Sequence, residues 1–122
     1  MTTKYHPEHT WVRLENQLAV IGITDHAQAE LGEIVYVDLP EPGDRFEAGR
    51  EFGQIESTKT TSAMIAPISG EVLESNGLLE NTPDLINRSP EENGWITKIS
   101  PSDPRELENL MNKPDYEAFL KG

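Results

Sequence analysis

The 122-residue sequence contains no cysteine, only ten Lys and Arg against 22 Asp and Glu, and 7% aromatic residues. Without thiols there is no disulfide framework, no thiolate zinc site and no cysteine nucleophile, so any redox chemistry must come from an attached group. The formal charge of -12 opposes binding to nucleic-acid phosphates or anionic lipid, because both need clustered Lys and Arg. No nucleic acid or membrane partner is expected. No apolar run approaches the roughly 18–20 residues of a membrane-spanning helix. The opening Met1-Thr2-Thr3-Lys4-Tyr5-His6-Pro7 lacks a signal-type apolar segment and an Arg-rich transit pattern, so the expected location is cytoplasmic, or mitochondrial only if a transit peptide has been removed. The length and a hydrophobic content of 35% fit one domain over 1–122 with a modest core.

What is present is mostly strand. Trp11–Leu14 and Leu18–Ile23 read as a hairpin across Glu15-Asn16-Gln17, and Glu33–Leu39 as a further strand. Phe52–Ser57 and Ser62–Ala66 flank Thr58-Lys59-Thr60-Thr61 and place Lys59 at a hairpin tip. Glu71–Ser75 is another strand, Asn76-Gly77 reads as a hairpin turn, Leu78–Asn93 as loop, and Trp95–Ile99 as the last strand. Between strands, Thr24–Gly32 predicts a short helix capped by Asp25 with Gln28 completing a capping box and Gly32 ending it. Asp103-Pro104-Arg105-Glu106 predicts a C-terminal helix start, and a second helix from Pro114 is expected to bury Tyr116, Phe119 and Leu120. The whole is a small barrel or sandwich with flanking helices.

Candidate chemistry centres on Lys59, the one basic residue between Arg50 and Arg88, in a stretch that holds Glu51, Glu56, Glu71, Glu74, Glu80 and Asp84. It has neither the neighbouring cation nor the apolar burial that activates a Schiff-base lysine. Its functional use is then as an acceptor for a modifying enzyme, with small Ser57, Thr58, Thr60 and Thr61 leaving room; on composition alone a solvated surface lysine is the simpler reading. The other constellations are poorer. His6, Glu8 and His9 do not complete a metal-ligand set, so no metal is expected. His26 beside Asp25 lacks a serine-nucleophile motif, and the glycines of 43–53 lack phosphate-loop spacing. Glu91-Glu92 and Glu106 with Glu108 fit a solvated face better than a hydrolytic pair. No catalytic site emerges.

The ordered segments Tyr5, His9-Thr10-Trp11-Val12, Gly22-Ile23-Thr24-Asp25-His26-Ala27-Gln28, Leu31-Gly32-Glu33-Ile34-Val35-Tyr36-Val37-Asp38-Leu39-Pro40, Glu56-Ser57-Thr58-Lys59, Pro67-Ile68-Ser69-Gly70-Glu71-Val72, Asn76, Pro83, Asn87, Gly94-Trp95 and Tyr116 closely resemble the H-protein family of the glycine cleavage system. The resemblance implies a mainly β barrel-sandwich hybrid of the lipoyl and biotinyl carrier type, with a short internal helix and C-terminal helices. It implies a non-catalytic, monomeric carrier with lipoic acid amide-linked to Lys59, and with Glu56, Ser57, Thr58 and Thr60 serving recognition by the lipoyl-attaching enzyme. The implied arm takes an aminomethyl group from a pyridoxal-phosphate glycine decarboxylase to a tetrahydrofolate-dependent aminomethyltransferase, and a dihydrolipoyl dehydrogenase reoxidises the dithiol.

The chain departs from the family pattern in three places. Thr10 and Ala63 stand where acids are usual near the loaded arm, and Glu91 and Glu92 stand near an expected aromatic-Gly pattern. The first two raise an alternative, an H-like lipoyl protein acting in lipoyl relay or redox function without glycine cleavage. A biotinyl carrier is disfavoured, since that family places Met on both sides of its lysine and this chain has Thr58 and Thr60.

Overall fold

The computed structural model describes residues 3–122. Nine strands form two antiparallel sheets, β1 (Thr3–Tyr5), β2 (Thr10–Glu15), β3 (Leu18–Ile23), β9 (Thr97–Pro101), β8 (Gly70–Ser75) and β5 (Arg45–Phe46) in that spatial order, and β4 (Ile34–Val37), β6 (Glu51–Ser57) and β7 (Thr61–Ile65) in the other. The expected β-rich carrier architecture is therefore present as two stacked sheets with short helices around them.

Alternation along β2 and β3 explains how the larger sheet is covered on both faces. Val12, Ala19, Ile21 and Ile23 point into the main core with Ile34, Ile55, Met64, Ile68, Val72 and Ile99, whereas Trp11 and Val20 point the opposite way and pack with Tyr5 and Tyr116. Period-two geometry makes this division automatic. Each fully buried aliphatic side chain stabilises the fold by about 1.5–3 kcal/mol relative to its exposed state. The connecting turn has Asn16 and Gln17 at φ 51° and 72°, the pair of positive values that matches strand twist in a two-residue hairpin. Opposite Trp11 stands Gly22, where a Cβ would lie 2.7 Å from the indole ring; the bare backbone is what lets the ring lie flat.

Several expectations change in the structure. Thr24, not Asp25, caps the helix α1 (Asp25–Leu31), accepting from the Ala27 amide, while Asp25 accepts from the Gln28 side chain. Asn76-Gly77 is not a hairpin turn: Asn76 is buried, its amide donates to Asn93 and Trp95 carbonyls and its oxygen accepts from Leu78 N, so the chain enters a helical turn. The presumed loop holds two such turns, α2 (Leu78–Asn81) and α3 (Leu85–Arg88), anchored by buried Leu79 and Ile86. The segment after Asp103 is a 3-10 helix, Pro104–Asn109, with Asp103 capping as expected and Glu106 turned away to bind Ser69 N and Oγ. In α4 (Lys113–Lys121) Tyr116 is buried and Leu120 packs partly, but Phe119 remains 47% exposed, flanked by the rings of His9 and Tyr116 at 6.3 and 6.4 Å and outside the buried cluster.

The Lys59 hairpin as candidate functional site

Strand β6 carries the chain to Lys59 with Ile55 and Ser57 facing inward and Gln54 and Glu56 outward. Its neighbours hold it on both sides: Glu56 pairs with Tyr36 of β4 and Thr61 of β7. The turn that follows is tied from within. Ser57 N donates to the Thr60 carbonyl at 2.8 Å, and the buried Ser57 Oγ accepts from Lys59 N and Thr60 N, both at 3.2 Å. A short hydroxyl side chain bonding amides two and three residues ahead is a strong local turn former.

A second tie comes from outside the hairpin. Thr58 N donates to the Glu33 carbonyl at 3.0 Å, so the tip is fixed to the link between α1 and β4. That link is held by Asn87, whose amide donates to the Gly32 carbonyl at 2.8 Å and to Gln28 Oε1 at 3.0 Å, and whose oxygen accepts from Ile34 N at 2.8 Å. Gly32 ends α1 at φ 86°, and a Cβ there would stand 3.0 Å from Lys59 Cε. The lysine stem therefore runs over a glycine surface. Glu56, Thr58, Lys59 and Thr60 are exposed, and among the described residues the Lys59 ammonium makes no hydrogen bond or ion pair. A free amine thus projects from a backbone fixed on two sides.

The remaining candidates serve the fold or the surface. His6 and His9 do not converge: His6 Nδ1 accepts from Glu8 N at 3.0 Å, while His9 Nδ1 meets Tyr116 Oη at 2.7 Å. Tyr116 Oη also meets Thr24 Oγ1 at 2.9 Å. A consistent proton order runs from the Ala27 amide to Thr24 Oγ1, from that hydroxyl to Tyr116 Oη, and from Tyr116 to a neutral His9 Nδ1. Burial, then repulsion from His26, holds the His9 imidazole below its ordinary range, with Glu30 and Glu8 pulling the other way. Burial likewise raises the Tyr116 and Tyr5 phenols above theirs, and for Tyr5 the Glu91 carboxylate adds to the rise. Glu91 accepts from Tyr5 Oη at 3.1 Å and, more weakly, from Asp25 N at 3.4 Å. The N-terminal strand β1 packs against α4 through Tyr5 and Tyr116, and His6 and His9 lie in the turn that leads from it to β2. His26 is partly exposed and lies 3.2 Å from Glu30.

Of the departures, Thr10 and Ala63 differ in kind. Thr10 is buried and its hydroxyl donates to the Ile65 carbonyl at 2.8 Å, joining the start of β2 to the end of β7, whereas Ala63 is exposed on β7. Neither contributes a carboxylate. Sequence reasoning passed over the supports of the turn. Gly32 reads in the sequence only as a helix stop and Asn87, within α3, only as a matching residue, because the bonds its amide makes to Gln28, Gly32 and Ile34 depend on how distant segments pack.

The family model described as Glycine cleavage H-protein matches residues 3–122. The chain is 53% identical over 118 residues to the mitochondrial glycine cleavage system H protein of Pisum sativum, covering 97% of this chain and 72% of that one. It is 48% identical to the glycine cleavage system H protein of Anaeromyxobacter sp. (strain K), covering 97% and 92%. A crystal structure of a glycine cleavage system H protein from Mycobacterium marinum is similar in fold, with a TM-score of 0.91, 31% identity, and coverage of 99% of this chain and 98% of that one. From sequence, fold and the lysine-bearing hairpin together, this chain belongs to the glycine cleavage H-protein family.

Proposed function

We propose that residues 1–122 act as one monomeric, non-catalytic carrier domain that holds lipoic acid in amide linkage to Lys59 Nζ and serves the glycine cleavage system. The single observation that carries the site is the unengaged Lys59 amine at the tip of a hairpin whose backbone is fixed by Ser57 and Glu33. The residues fit the group: the flanks are small, the stem lies along Gly32, and nothing among the described residues covers Nζ.

In attachment, Nζ gives a proton to a base on the attaching enzyme and forms a C–N bond to the carbonyl carbon of an activated lipoyl group, as the bond from that carbon to its leaving group breaks. When bound, the lipoyl group supplies a dithiol–disulfide couple and a sulfur nucleophile. The protein keeps the root of the arm in place, and Glu56, Thr58 and Thr60 offer polar contacts around it. Because the chain has no cysteine, no side-chain thiol competes with the dithiol by exchange. A stiff root on a soluble carrier raises the effective concentration of the reactive end at each docked partner.

The partners on this reading are glycine decarboxylase, aminomethyltransferase, dihydrolipoyl dehydrogenase and the lipoyl-attaching enzyme. With a net charge of -12, docking favours basic partner surfaces and weakens as salt rises. The test is exchange of labelled bicarbonate into glycine by the cognate decarboxylase. Exchange that requires the lipoylated protein, and slows with ionic strength, supports the shuttle; no exchange by a fully lipoylated sample overturns it in favour of lipoyl relay.

A further inference from the structure

We propose that the Ser57 hydroxyl is a positioning residue for lipoyl attachment, acting on Lys59 through the turn and without touching the incoming group. The inference rests on the reading of Lys59 as acceptor and adds what makes that lysine a competent one.

Ser57 is only 5% exposed, so an attaching enzyme cannot reach its side chain. What the hydroxyl reaches is the backbone of the tip: its oxygen lies 3.2 Å from Lys59 N, 3.2 Å from Thr60 N and 3.3 Å from the Thr60 carbonyl oxygen. One oxygen thus accepts from two successive amides and can donate to the carbonyl that closes the turn. The amide of the acceptor lysine itself is one of the two. Thr58 on the other side is held by the Glu33 carbonyl at 3.0 Å, so Lys59 lies between two anchors, and only the Ser57 anchor is made by a side chain.

Deleting that oxygen leaves the strand pairing of β6 and β7 and the Thr58 anchor in place. Lys59 N and Thr60 N then turn to water, and the tip samples orientations in which Nζ no longer meets the acyl carbon. Loss of alignment falls on the reacting step, because Glu56, Thr58 and Thr60 still present their surfaces for docking. The expected signature is therefore a fall in kcat with little change in KM for the protein substrate.

The experiment compares initial rates of lipoylation, read by intact mass, for the wild-type chain and its variants with a lipoate ligase, lipoate and ATP. Ser57→Ala is expected to lower kcat about tenfold with KM within about twofold, and to speed hydrogen exchange at the Lys59 and Thr60 amides. Ser57→Thr, which keeps the hydroxyl, is expected to restore both. Ile99→Val, a trimmed core residue far along the chain in β9, provides a variant with lowered Tm and an unchanged lipoylation rate. The inference is overturned if Ser57→Ala is lipoylated at the wild-type rate. It is equally overturned if Ile99→Val slows the reaction as much, or if Ser57→Thr protects the two amides yet reacts as slowly as Ser57→Ala. A wild-type chain that takes no lipoyl group at all would instead remove the acceptor reading on which the inference rests.

Discussion

The Lys59 turn and the junction of the two chain ends use polar groups in opposite ways. At the turn, hydrogen bonds go to backbone amides through Ser57 and Glu33, and the one charged side chain is left free. At the junction of β1, α1 and α4, the titratable side chains of Tyr5, His9, Glu91 and Tyr116 bond one another, and burial moves three of them away from their ordinary pKa values. A cluster of histidine, tyrosine and glutamate looks more like chemistry than a lone lysine among threonines does. Engaged groups with perturbed titration here hold the ends of the chain, while the proposed lipoyl acceptor is the disengaged group.

Three perturbations sharpen that contrast, the largest first. Trp11 is fully buried at the base of the junction, with its indole N–H donating to the Pro90 carbonyl at 3.1 Å. Trp11→Ala is expected to cost about 3–5 kcal/mol of stability in urea unfolding, while the fraction that remains folded still accepts a lipoyl group at Lys59. Loss of acceptance in the folded fraction would break the separation of the two regions.

Tyr116→Phe keeps the ring stacked on Tyr5, whose centroid is 4.8 Å away, and removes the hydroxyl that joins His9 to Thr24. The expected cost is about 1–2 kcal/mol, again without effect on lipoylation, measured by urea titration beside the attachment assay.

The smallest effect is one of pH. The groups facing His9 are His26 and Glu30 from α1, Tyr116 and Phe119 from α4, and Glu8 beside it. Because its folded pKa is lowered from the ordinary 6.5, the folded state binds fewer protons than the unfolded chain in the window just below that value. Its stabilising contribution is therefore complete above pH 6.5 and is lost as pH falls through the lowered value. His6, lowered chiefly by burial, acts in the same direction. Tm is expected to decline on the acid side, and His9→Gln to flatten part of that decline; a Tm that rises on acidification over this window would contradict the junction as described.

How much was legible in the sequence follows the range of the forces involved. The β2–β3 hairpin, the Lys59 tip and the Gly32 helix stop could be read because alternation, turn residues and a solitary cation act within a few positions. Counting in twos from Ile55 also places Ser57 inside, yet its small size suggested only room for an enzyme, since the bonds to Lys59 N and Thr60 N depend on how the turn closes. The three-residue β1 and the four-residue α2 and α3 were out of reach, being shorter than any periodicity and held by distant partners such as Met111 for Tyr5 and Asn93 and Trp95 for Asn76. Phe119 differs for a related reason: helical spacing puts it on the side of Tyr116, but its flanking rings, His9 and Tyr116, leave it 47% exposed, and which residues flank it depends on tertiary packing.

Peptide-level mass spectrometry of the protein isolated from its own cells tests whether Lys59 carries the lipoyl group. One lipoyl increment is expected, located on the peptide that contains Lys59 and absent from Lys59→Arg, whose melting temperature stays at the wild-type value because the side chain is exposed and unpaired among the described residues. A lipoyl increment on any other residue, or one that persists in Lys59→Arg, would contradict it.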